Sequence, residues 1–241
     1  MKNLQESATQ WHKPIGGVRR SDTVWAMKAE TSPTLPLRER KKLRTRQALI
    51  DTALELFGAQ GFDGVTLDAL CDAAEVSKRT FFRYFDSKED VAMAPAQDVW
   101  VTFLDVLKTC PADGRPLLTL FEDALAEAIH RMPADGWAGL VLTGRRLAAL
   151  TPSMDAHCLA FCDRTTRTAL ALVDRRFALP GPDGQLRARL ALDLLVVLFH
   201  RALDSWVAQP SGHTPEDLVR RLRATAAELP SVLTARAEPH A

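Results

Sequence analysis

The sequence predicts an all-α protein with a small N-terminal reading head and a larger helical domain behind it. Three observations predict this. Strand signals are almost absent: there is a single tyrosine, and the β-branched residues are dispersed instead of alternating with polar ones. Apolar residues recur at helical spacing through nearly everything after Leu37, with Pro and Gly as punctuation. Two short segments, each opened by a hydroxyl residue and joined by a tight turn, follow one longer amphipathic segment.

Residues 1–37 show no sustained periodicity and include Pro14, Gly16, Gly17, Pro33 and Pro36, so they are expected to form a disordered extension. Met27, followed by KAETSPTLPLRERKK, is itself a sensible start. The first helix is expected from about Arg40 to Gln60, its apolar stripe being Leu49, Ile50, Ala53, Leu56 and Phe57. Gly61 ends it. Thr66 caps a short helix over 67–74, and Ser77 caps a second over 78 to 84 or 85. Ser87 caps the next, with Asp90 in its first turn. Longer amphipathic helices are expected over 87–109, 116–131, 136–150, 153–178, 184–208 and 215–228. The chain is thus divided into an extension (1–37), a head (38–91), a helical domain (92–230) and a disordered tail (231–241).

The balance of 46% hydrophobic and 25% charged residues in 241 is that of an ordinary globular protein, and the net charge of +1 does not by itself indicate nucleic acid. The distribution does. Arg38, Arg40, Lys41, Lys42, Arg44 and Arg46 face the single acid Glu39 in one short run, which favours phosphate through counter-ion release. No apolar run approaches the roughly 20 residues of a membrane span, the longest candidate, Leu190 to Phe199, being broken by Asp193. The start of the chain lacks a secretory pattern, and four scattered cysteines make no disulfide framework, so a cytoplasmic setting is expected.

The two short segments form a helix-turn-helix, whose second helix presents its first residues to base edges while flanking groups clamp phosphates. Lys78 and Arg79 suit guanine acceptors, and Thr80 suits a base or a phosphate. Arg83 and Tyr84, one turn on, suit phosphate. Lys88 and Thr66 open helices whose free N–H groups also favour phosphate. The expected DNA-contacting set is therefore Arg40, Lys42, Arg44, Thr66, Ser77, Lys78, Arg79, Thr80, Phe82, Arg83, Tyr84 and Lys88. Phe81 and Phe85 share a face and are expected to pack on Leu70 and Phe57.

The run LIDTALELFGAQGFDGVTLDALCDAAEVSKRTFFRYFDSKEDV resembles the N-terminal domain of the TetR family of transcriptional regulators. Its motif is Ala-x-x-Leu-Phe, Gly-Phe, Thr, Val-Ser-x-x-Thr-Phe, then Tyr-Phe-x-Ser-Lys-Glu, over roughly residues 40–91. The resemblance implies phosphate contacts at Thr66, Thr80, Tyr84 and Lys88 and base reading at Lys78, Arg79 and Thr80. Two departures stand out. Glu75 occupies a turn position where the family usually has Gly, and Phe82 replaces the usual Tyr, losing a phosphate hydrogen bond but keeping a ring.

By the same resemblance, residues from about 92 onward form a ligand-binding and dimerisation domain that pairs through the helices at 184–208 and 215–228. The implied partners are a double-stranded DNA operator, a small-molecule effector and a second copy of the chain, with no membrane and no cofactor. The signature FFRYFDSKEDV and the 145–152 segment look similar to relatives with acyl-type ligands. Candidate ligand-facing residues are Phe103, Leu104, Phe121, Trp137, Val141, Arg146, Met154, His157 and Phe161, with Thr143 and Thr165 as further polar anchors.

His157, Cys158 and Cys162 invite a metal or redox reading, but no second ligand pair stands at recognisable spacing, so structural cysteines are expected. An enzyme using these residues lacks a third orienting group, and none is expected. The rival within DNA binding is an architectural or global regulator with no small-molecule ligand.

Overall fold

A computed structural model describes residues 36–237 of the chain. The expected extension up to residue 35 and the last four residues of the expected tail lie outside the described residues. Among the described residues there is no strand, and the fold is all-α. Its helices are α1 (Leu37–Gln60), α2 (Leu67–Ala73), α3 (Lys78–Tyr84), α4 (Lys88–Thr109), α5 (Leu117–His130), α6 (Trp137–Ala148), α7 (Pro152–Arg176), α8 (Gly184–Ala208), α9 (Pro215–Ala227) and α10 (Leu229–Thr234). None of the described helices is long and apolar enough to cross a membrane.

Most helix ends fall within two residues of the expected bounds, and two differ informatively. α1 begins three residues early, because the Pro36 carbonyl accepts from the amides of Glu39 and Arg40 and starts the ladder there. The whole cationic run Arg38–Arg46 is therefore helical. The tail expected to be disordered from residue 231 opens inside α10, with Pro230 in its first turn where a missing N–H costs nothing.

Two apolar cores divide the molecule. The head core gathers Leu49, Ile50, Ala53, Leu54 and Phe57 of α1, Leu70 of α2, and Phe81 with Phe85 around α3. Leu54 takes the buried place expected of Leu56, which lies at the core's edge. Val91, Ala92, Met93 and Ala94 of α4 and Met154 of α7 complete it. The larger core begins at Val99 of the same α4 and includes α5, α6, α7, α8 and α9. One helix thus enters both cores, changing allegiance around Pro95.

That changeover is latched from two sides. Pro95 has no N–H to return to the preceding turn, so the ladder of α4 is interrupted there. Trp137 of α6 donates from Nε1 to the Pro95 carbonyl at 2.8 Å. Gly144, two turns along α6, lies so close that a Cβ would stand 2.8 Å from the Ala92 carbonyl oxygen. Only a residue without a side chain permits that approach. From α1, the Arg46 guanidinium reaches Asp98 of α4 through two hydrogen bonds of 2.9 and 3.0 Å.

Candidate nucleic-acid interface and effector region

α2 and α3 are built from local chemistry. The Thr66 hydroxyl accepts from the Ala69 amide at 3.1 Å, and the Ser77 hydroxyl accepts from the Thr80 amide at 3.1 Å. Each satisfies one of the donors that a helix start leaves without a partner. Between them, the Val76 amide donates to the Cys71 carbonyl and the Glu75 amide to the Asp72 carbonyl. This paired closure requires a left-handed residue just past the helix. Glu75 is that residue, at φ +52, and is the single non-Gly residue with positive φ among those described. The position singled out in the sequence for lacking the usual Gly does adopt the conformation that favours Gly.

α3 has two sharply different faces. Phe81 and Phe85 are buried in the head core, their rings 5.8 Å apart. Lys78, Arg79 and Arg83 are exposed, and Phe82 is 49% exposed beside them. Arg79 makes no ion pair among the described residues. Lys78 is paired at 2.6 Å with Asp68 of α2, and that carboxylate raises the pKa of the ammonium. Arg83 lies over the Tyr84 ring at 5.1 Å. Arg40 and Arg44 are exposed on α1, Lys42 half-buried.

Two cations differ from what the sequence suggests. The Lys88 ammonium turns inward, donating to the carbonyls of Phe62 at 3.1 Å and Val65 at 2.7 Å, above the Phe62 ring. It braces the loop between α1 and α2 instead of pointing at a phosphate. Arg46, counted in the cationic run, is committed to Asp98 and Phe85. At the same helix start, Ser87 accepts from the Asp90 amide while Asp90 accepts from the Asp86 amide, a reciprocal cap.

The residues expected to line one effector cavity are distributed over several environments. Phe103, Leu104, Phe121, Trp137 and Val141 are packed within the large core. Met154 belongs to the head core, and Arg146 is exposed. His157 lies 3.5 Å from Asp90 at the start of α4, and Phe161 is half-buried against the large core. Thr143 donates to a carbonyl of its own helix. The void in this region measures about 10 Å³ and is lined by Trp100, Phe103, Cys162, Thr165, Thr166, Ala169, Leu192 and Val196. That is the space of about one water, whereas ligand pockets run to about 300 Å³ and more. Of the nine expected residues only Phe103 borders it; Thr165, named as a further anchor, does too.

Sequence reasoning missed Asp98, whose signal was present: a lone carboxylate inside the apolar run from Val91 to Trp100 needs a partner. It also missed His200 of α8, which the fold carries to Cys158 and Cys162.

Comparison with known proteins agrees with the head. Residues 49–94 match the family model described as bacterial regulatory proteins, tetR family. The chain is 49% identical over 81 residues to the HTH-type transcriptional regulator TcmR of Streptomyces glaucescens, covering 34% of this chain and 36% of that protein. It is 29% identical over 62 residues to the biofilm operon negative transcriptional regulator IcaR of Staphylococcus epidermidis, covering 26% and 34%. The match therefore spans about a third of the length of these curated relatives. Among solved structures, Thermus thermophilus FadR in complex with lauroyl-CoA aligns with 81% of this chain and 98% of its own, at a TM-score of 0.46 and 21% identity.

Proposed function

We propose that the chain, whose residues 49–94 match the family model described as bacterial regulatory proteins, tetR family, is a sequence-specific DNA-binding transcriptional regulator, a repressor released from a palindromic operator by a small apolar or acyl-type effector. The observation that carries this reading is the division of α3. Its aromatic face is locked into the head core, and the opposite face presents Lys78, Arg79, Phe82 and Arg83 outward. Arg79 and Lys78, with Thr80, read base edges. Arg40, Arg44, Arg83 and Tyr84, with the starts of α2 and α4, hold phosphates. Phe82 packs its ring on the backbone.

A single head covers one half-site, so the operator reading requires a two-fold dimer. α8 supports one: Leu186, Leu190, Leu194 and Val197 form an exposed apolar stripe at helical spacing. α9 instead exposes Arg220 and Arg223, which suits the rim of such an interface. The effector enters between α4, α7 and α8, where a small void already lies between these helices. Separating these helices tilts α4, and α4 is fixed to the head through Val91–Ala94 and through Arg46. The two recognition helices then lose the spacing of the half-sites. The protein acts in the cytoplasm as a binding protein, without turnover.

The test is DNA binding to the promoter regions flanking its own gene, measured by fluorescence anisotropy with and without acyl-CoA and drug-like compounds. Saturable binding that competitor DNA does not remove, and that one ligand class releases, is the expected outcome. Binding that tracks only DNA length and salt would sink the operator reading. Specific binding indifferent to every ligand would sink the effector.

A further inference from the structure

We propose that Cys158 and Cys162 of α7 and His200 of α8 form a binding site for a thiolate-seeking divalent cation, with zinc as the best match. The two cysteines stand four apart on one helix and so share a face. His200 comes to them from the neighbouring helix, and the two sulfurs and an imidazole nitrogen all lie within 4.8 Å of one another. Zinc binds sulfur at about 2.3 Å and imidazole nitrogen at about 2.0 Å, so two ligands across a tetrahedral ion are separated by somewhat under 4 Å. At most about 1.3 Å of change in ligand separation closes the set. Among the described residues this is the one group of three such ligands with that spacing.

The Cys162 thiol donates towards Cys158, and the Arg145 guanidinium stands near Cys158. Arg145 is itself paired with Asp204 at 2.8 Å, so the positive charge beside an incoming cation is already balanced. Two thiolates neutralise a divalent ion. All three side chains are half-buried, which leaves a route for the metal and a fourth position for water. A disulfide between the same cysteines is disfavoured, since residues one turn apart on a helix do not direct their Cβ bonds at each other.

Occupancy would tie α7 to α8 one residue from His157, which faces Asp90 at the head of α4. The site is independent of the DNA-binding reading, and so is its test. The full-length protein, stripped with a chelator under reducing conditions, is titrated with cobalt(II) and then with zinc. One cobalt per chain is expected, with thiolate charge-transfer absorption, intense tetrahedral visible bands, and displacement by zinc. Cys158→Ser, Cys162→Ser and His200→Gln should each weaken binding at least about tenfold, while Cys71→Ala and Cys110→Ser leave it unchanged. Circular dichroism melting identifies any variant that fails to fold, and the remaining ones decide. Cobalt bound without the charge-transfer band, or affinity unchanged in Cys162→Ser or His200→Gln, overturns the site.

Discussion

Arg46 of α1 and Asp98 of α4 meet in a two-pronged ion pair with the Asp98 carboxylate 4% exposed, directly beyond the point where Pro95 interrupts α4. The pair joins the head to the helix that also enters the large core. Breaking a buried ion pair by removing one partner costs about 3–5 kcal/mol. Asp98→Leu and Arg46→Met should each lower stability towards that amount in urea unfolding. The double variant should recover a substantial part of it. Additive losses would show that the two residues act separately.

The cations of the head should divide into readers, clamps and braces. Arg79→Ala should cost about 1–3 kcal/mol on the preferred sequence and relax discrimination at one base pair. Arg44→Ala should weaken all sequences alike and reduce the salt slope by about one. Lys88→Ala should act through the fold, since it leaves the carbonyls of Phe62 and Val65 without their donor. Its expected signature is a loss of about 1–3 kcal/mol of stability, with the salt slope unchanged. A Lys88→Ala protein of normal stability and shallower slope would return that residue to the phosphates.

Glu75 holds a left-handed turn at φ +52. Relief of that conformation is worth about 1–2 kcal/mol, against about 0.5–1 kcal/mol of backbone entropy that glycine adds to the unfolded chain. Glu75→Gly should therefore stabilise the head by up to about 1.5 kcal/mol, and Glu75→Val should destabilise it. Thermal melting of the two variants gives the sign directly.

Glu89 lies in the first turn of α4, where burial raises its pKa but hydrogen bonds from its own amide, Ser87 and Ser153, aided by His157, outweigh that and lower it below the ordinary 4.5. A depressed carboxylate pKa contributes stability above its unfolded value and loses it as pH falls through the folded value. The melting temperature of the native protein should exceed that of Glu89→Gln by a constant margin above about pH 5. The margin should shrink below that pH. A margin that widens on acidification reverses the assignment.

The exposed α8 stripe should behave as an interface. Leu190→Asp together with Val197→Asp should yield monomers by light scattering while leaving helix content intact, because both side chains are more than half exposed in one chain. Operator affinity should fall with them. Unfolding in place of dissociation would mean that the stripe belongs to the core.

Much of the head was legible because its determinants are local. Thr66, Ser77 and Ser87 cap helices whose amides lie three residues away, and Glu75 sits in a turn closed by bonds of three and five residues. Phe81 and Phe85 fall on the buried face that their spacing gives them. The same periodicity places α8 over Gly184–Ala208 and shows that it is apolar on more than one side.

The sequence by itself therefore determined the helices, their caps and the face of α3 that looks outward, since each follows from neighbours within about one or two turns. Tertiary structure alone decided which charges are spent inside. Arg46 finds Asp98 across 52 residues, Lys88 finds carbonyls 26 and 23 residues back, and His200 joins Cys158 and Cys162 from another helix. It also decided that the aromatic side chains of the middle helices close on one another, with a void of about 10 Å³ beside Trp100 and Phe103. Periodicity fixes the direction in which a side chain leaves its own helix. What it meets depends on how helices distant in sequence pack, and composition does not specify that.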